Sequence, residues 1–133
     1  YKESIKLQVG EIYISPLDLN VEQGVIELPL NPMIRIATPI VDEEGKKAGI
    51  IIINLCGNYL LSKLQSTIEK SSGKVMLLNS ESYWLFGGDS KTNWAFMFDD
   101  KLTMNFQQKY PDVWKKIYIC NQVKFKASLR ILL

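Results

Sequence analysis

Hydrophobic and polar positions alternate most regularly between Pro32 and Leu55. Two β-branched runs, residues 33–41 and 48–55, flank a polar break at Glu43, Glu44 and Gly45. That is the pattern of an antiparallel hairpin, with Gly45 at positive φ in a short loop. By period two, Ile34, Ile36 and Ile40 share one face of the first run, and Met33, Arg35, Ala37 and Pro39 share the other. The first face reads as core. The second carries small residues around a single cation, as a ligand-lined surface would. The second run holds four consecutive isoleucines, Ile50 to Ile53, and so predicts a strand in mid-sheet covered on both faces.

Around this hairpin the signals are shorter. Tyr1, Ile5 and Val9 are spaced for a helix with Gly10 at its C′ position, although Ile5, Leu7 and Val9 also alternate as a strand would. Residues 11–15 read as a brief strand closed by Ser15–Pro16, and residues 17–30 as a long irregular segment, functional or packed as a lid. After the hairpin, Asn58 is an N-cap candidate for a helix with Leu60, Leu61, Leu64 and Ile68 on one face. Residues 71–73 end it and are the best domain boundary. Residues 74–79 and 83–87 form a second hairpin pattern, and residues 94–98 read as a third short strand. Asn105 and Pro111 open two short helices carrying Phe106, Tyr110, Val113, Trp114 and Ile117.

Composition narrows the function classes. The 133 residues, 47% hydrophobic and 23% charged, are enough for one ordinary folded domain or two small ones. A net charge of +2 does not call for nucleic acid or an anionic membrane. No stretch reaches the roughly 20 apolar residues of a membrane span, and the absent initiator Met suggests a piece of a longer protein. There is no histidine, which removes His-based acid–base chemistry, Ser–His and Cys–His pairs, and most transition-metal sites. No nucleophile-elbow, P-loop, zincin or dinucleotide fingerprint occurs, so the chain reads as neither an enzyme nor a cofactor carrier. Cys56 and Cys120 form no CxxC; buried thiols are the plainer reading, a disulfide the other.

The run IYISPLDLNVEQGVIELPLNPMIRIATPIVDEEGKKAGIIIINLCGNYLL resembles the extracytoplasmic Cache (PAS-like) sensor family. The likeness is to the double-Cache sensors of membrane-bound histidine kinases and diguanylate cyclases. It continues through LLNSESYWLFG, NWAFMF and FQQKYPDVWKKI, covering about residues 1–118. The resemblance implies an α+β, PAS-like fold: an antiparallel sheet flanked by helices, in parts of two modules. Residues 1–70 would be the C-terminal part of the membrane-distal module with a linking helix, and residues 71–133 the start of the membrane-proximal one. It further implies a small-molecule ligand, an extracytoplasmic location and a membrane-anchored parent. Residues 121–133 fit the family poorly, and the Arg–x–Trp–Tyr run of some amino-acid receptors is absent.

Arg35 in an apolar strand is a bidentate anchor for an acidic ligand or the partner of Asp18, Glu22 or Glu27. Tyr13, Ser15 and Asp18 would approach the same pocket, with Ala37 beside Arg35; ordinary turn hydrogen bonding is their alternative role. The aromatic residues Trp84, Trp94, Trp114, Phe96 and Phe106 read as core rather than a stacking site. The basic residues after Asp112 read as a solvated or membrane-proximal face, not a nucleic-acid contact. A structural or homodimerisation module is the competing reading of the whole chain.

Overall fold

The computed structural model describes residues 2–69, 75–120 and 129–132. The chain divides into two compact units, Tyr1–Leu60 and Leu61–Leu133. The sequence-based boundary at residues 71–73 lies outside the described residues.

The first unit is built on the expected hairpin. β5 (Pro32–Val41) and β6 (Lys47–Cys56) pair antiparallel from Met33↔Cys56 to Val41↔Lys47, with a register shift between Ile40 and Val41. Asp42 Oδ1 closes the loop by accepting from the Glu44 and Lys46 amides at 3.0 and 2.8 Å. Gly45 stands at φ 78°, the left-handed conformation a short loop needs. On the other side of β5 lie β1 (Tyr13–Ile14) and β2 (Asp18–Leu19), with Tyr13 opposite Ala37 and Asp18 opposite Met33. β3 (Val21–Glu22) and β4 (Val25–Ile26) turn at Gln23 and Gly24, both at positive φ. The segment expected to be irregular therefore holds three strands. Each is two residues long, too short to leave a period in the sequence.

Other expectations for this unit need correcting. α1 (Lys2–Ile5) stops well before Gly10, which serves a later turn at φ 87°. Lys47 Nζ donates to the Ile5 and Leu7 carbonyls at 2.5 and 2.9 Å, so the end of α1 is tied to β6 rather than closed by glycine. β6 is not a mid-sheet strand. Among the described residues it pairs only with β5, and Ile51, Ile52, Ile53 and Leu55 are all exposed. Nor is the isoleucine face of β5 solid core: Ile40 is exposed, Ile34 and Ile36 are half-buried, and Ile14, Ile53 and Leu55 beside them are open. Burial concentrates instead at Leu17, Leu19, Pro32 and Ala37. The physical reason is that four isoleucines specify apolar neighbours without specifying which segment supplies them.

β6 runs directly into α2 (Gly57–Ile68), which starts at Gly57, one residue ahead of the expected cap Asn58. A Cβ on Gly57 would lie 2.6 Å from Leu17 Cδ1 and 2.9 Å from Pro32 Cβ, so this close approach requires glycine. Cys56, expected to be buried, is a free exposed thiol. The side chain of Cys120 lies outside the described residues.

In the second unit β7 (Met76–Asn79) and β8 (Trp84–Phe86) form the second hairpin, and β9 (Leu129–Leu132) pairs with the free side of β7. Asn79 Oδ1 holds the turn by accepting from the Glu81 and Tyr83 amides. The strand expected at residues 94–98 is instead a 3-10 turn over Ala95–Met97, entered through Trp94 at φ 63°. Trp94 and Ala95 are both buried, and consecutive residues of a strand cannot share one face. α3 (Phe106–Lys109) is capped by Asn105, whose side chain accepts from the Gln108 amide at 2.9 Å. α4 (Pro111–Cys120) begins at its proline, as Pro at N1 predicts. Leu78, Trp84, Phe106 and Trp114 form the core, so these aromatic residues are structural, as expected.

Candidate functional site

The Arg35 face of the first sheet carries a cavity of about 300 Å³. The ladder register explains its membership. Residues facing one another across antiparallel strands project to the same side. Thus Tyr13 and Ile52, both opposite Ala37, lie on the side of Arg35, as does Asp18 opposite Met33. Tyr13, Ser15, Asp18 and Arg35 all line the cavity, joined by Leu19 and Ile52 and by Ser4 from α1. Ala37 is buried at 1% exposure, in register with Tyr13 and Ile52, and is not a lining residue.

Arg35 is internally paired. Its Nη1 donates to Asp18 Oδ1 at 2.6 Å and its Nη2 to Asn20 Oδ1 at 3.0 Å. The two charged side chains are 28% and 33% exposed, so the pair is shielded from water but not sealed from it. Ser15 is a positioning residue here. Its hydroxyl accepts from the Arg35 amide and donates to the Pro16 carbonyl, both at 2.8 Å, while its own amide donates to the Arg35 carbonyl. These bonds pin β1 to β5 at the residue that carries the guanidinium.

Two hydroxyls remain. Among the described residues neither the Ser4 hydroxyl, on a residue only 3% exposed, nor the Tyr13 phenol has a hydrogen-bond partner. A buried hydroxyl facing a cavity without a partner is a donor and acceptor available to a guest. The second Asp18 oxygen is likewise not engaged by the described residues. The walls therefore offer two hydroxyls, one carboxylate oxygen and a guanidinium edge, set against Leu19 and Ile52.

Behind Arg35 stands a polar relay that single residues in the sequence did not reveal. Asn20, 8% exposed, accepts from Arg35 and donates through Nδ2 to Glu22 Oε1 at 2.9 Å and Glu27 Oε2 at 3.0 Å. Asn31 Nδ2 also donates to Glu27 Oε2 at 3.0 Å. The Asn31 amide first, and the Asn20 amide second, hold the Glu27 carboxyl below its usual range; partial desolvation opposes them. The spacing of Asp18, Asn20, Glu22, Glu27 and Asn31 was visible in the sequence. What was missing was the paired fold of β3 and β4 that turns them toward one another.

Among the described residues no group of three or more His, Cys, Asp or Glu side chains could hold a metal ion. None of their helices is long and apolar enough to cross a membrane.

Comparison with known proteins gives this geometry its context. No curated protein matches the chain. Among solved structures, the extracellular domain of a candidate histidine kinase, vpHK1S-Z8, superposes with a TM-score of 0.76 at 22% identity, covering 96% of this chain. A domain of a candidate sensory box/GGDEF family protein from Vibrio parahaemolyticus gives 0.77, also at 22% identity and 96% coverage. The chain spans 44% and 47% of those two chains, and the likeness establishes the α+β sensor-domain fold. The model of the bacterial histidine kinase sensor domain matches residues 1–124, and the chain belongs to that family.

Proposed function

We propose that this chain is the extracytoplasmic sensing part of a membrane-anchored receptor and that the cavity beside Arg35 takes a small polar molecule. The observation that carries the reading is the pair of unpartnered hydroxyls, Ser4 and Tyr13, in a cavity edged by the Arg35–Asp18 pair. Asp18 already neutralises Arg35, so an acidic ligand must share or displace that carboxylate, whereas a neutral polyol or an amide can use both charges as they stand. Signalling then follows from differential affinity. A ligand that favours one arrangement of β1, β2 and β5 biases that arrangement, and an output domain of kinase or cyclase type reads the bias.

A thermal-shift panel of organic acids, amines, amides and sugars tests this on the whole chain. A compound at about 100 times its dissociation constant stabilises by about 2.7 kcal/mol. Stabilisation by none of these classes, up to concentrations that would reveal millimolar binding, overturns the proposal. A second reading, a homodimerising module without a small-molecule site, draws support from the exposed apolar residues Ile14, Ile51, Ile53 and Leu55 and the unpaired edge of β6. Sedimentation of the chain over a concentration series separates the two, since only this reading requires reversible self-association.

A further inference from the structure

The second unit has its own cavity, of about 550 Å³, between β7, β8 and the α3–α4 corner. That volume is well within the range of small-molecule sites. Its walls are Met76, Trp84, Phe106 and Val113, and its rim carries one charge of each sign, Asp89 and Lys109.

The two charges are prepared differently. Asp89 Oδ1 accepts from the Thr92 hydroxyl and from the Lys91 and Thr92 amides, all at 2.9 Å. The Thr92 hydroxyl above all, then those amides and, last, the Lys109 charge hold the carboxyl below its usual range, so it is ionised at neutral pH. All three of those donors fall on one oxygen, which leaves Asp89 Oδ2 unengaged by the described residues. Lys109 Nζ lies 5.8 Å from the Trp84 ring centroid and 5.7 Å from that of Tyr110, and it forms no ion pair among the described residues. The two charges feel each other yet do not meet within salt-bridge distance.

Trp84 adds the inner polar group. It is 3% exposed, and its indole N–H has only the Met76 thioether, at 3.4 Å, as acceptor. Sulfur is a weak acceptor, so this buried donor can be bettered by an oxygen. Gly88 keeps the floor bare, because a Cβ there would lie 2.6 Å from Asn93 Oδ1 and 3.0 Å from Trp84 Cγ.

We propose that this cavity is a second, independent ligand site, and that it takes a small zwitterion with an apolar body. The ammonium of the guest faces Asp89, its carboxylate faces Lys109 and the Trp84 indole N–H, and its apolar body lies against Met76, Phe106 and Val113. A guest with one charge would leave the opposite rim charge desolvated and unpaired, which sets the preference for both.

The test follows the Trp84 indole N–H resonance of the whole chain during titration with L-phenylalanine, 3-phenylpropionate and phenethylamine. The expected result is a saturable shift with L-phenylalanine and at least about tenfold weaker binding of the other two. Lys109→Gln and Val113→Trp, both at exposed positions, are expected to weaken L-phenylalanine by about tenfold or more, while Tyr13→Phe in the first unit leaves it unchanged. Equal affinity for all three compounds, an unchanged affinity in Lys109→Gln, or no saturable shift up to about 10 mM overturns the proposal. None of these outcomes bears on the cavity beside Arg35.

Discussion

Removing the Arg35 guanidinium tests how the first cavity is held. Arg35→Ala breaks a 2.6 Å bond to Asp18 and a 3.0 Å bond to Asn20, and leaves both acceptors without their donor. Exposed ion pairs are worth about 0–1 kcal/mol and breaking a fully buried one costs about 3–5. With the two side chains 28% and 33% exposed, an intermediate cost of about 2 kcal/mol is expected. For a unit of this size that corresponds to a fall of roughly 8–16 °C in its melting temperature. Asp18→Ala alone should cost about 1–2 kcal/mol, and the double variant about 1 kcal/mol less than the sum of the singles. Because the chain has two units, one global transition need not describe it, so protection of the β5 amides against hydrogen exchange is the proper readout. A coupling below about 0.3 kcal/mol, or an Arg35→Ala change within about 0.5 kcal/mol of zero, would show that the pair does not hold the site.

The neighbouring residues give further tests. Asn20→Asp keeps the acceptor for Arg35 but sets a third carboxylate against Glu22 and Glu27 without the Nδ2 donors. It should destabilise by about 2–3 kcal/mol at neutral pH and be partly relieved by acid, as denaturant melts at two pH values would reveal. Glu27 and Asp89 titrate below their usual range in the fold, so the unfolded chain binds more protons as the pH falls. Their contribution is complete above the unfolded carboxylate range and disappears as the pH drops through the folded values. Glu27→Gln should therefore flatten the acid limb of the stability profile, and an unchanged limb would refute the assignment. Gly45→Val has open space for its side chain but not the right φ, so a loss of about 1–2 kcal/mol from backbone strain alone is expected. Gly57→Ala meets Leu17 and Pro32 instead and should cost about 1–3 kcal/mol through overpacking, measured by equilibrium unfolding.

The sequence made the local chemistry legible and left the pairing partners hidden. Alternation along residues 33–41, with Gly45 in the break, placed the hairpin and put Arg35 and Ala37 on one face. Asn105 and Pro111 marked two helix starts because capping and N1 preferences are local. The isoleucine run of β6 was misleading for a complementary reason. Its residues state that they suit apolar company, but whether a neighbouring strand exists is a fact about another segment. Two-residue strands such as β2 and β3 carry no period at all, so the turn that aims Asn20 and Glu27 at Arg35 could not be seen. Ser4 had no signal either: a serine in a four-residue helix becomes notable only when its burial and its cavity are known.

Tyr13→Phe gives the most direct test of ligand sensing, because it removes one hydroxyl that no described residue binds. The chain's stability should stay within about 0.5 kcal/mol of the parent, since no internal hydrogen bond is lost. Isothermal titration of a stabilising compound from the panel into parent and variant should then show about tenfold weaker binding by the variant, the value of one hydrogen bond to the guest. Equal affinity in the two proteins, or a variant that loses stability as it loses affinity, would contradict a ligand seated in this cavity.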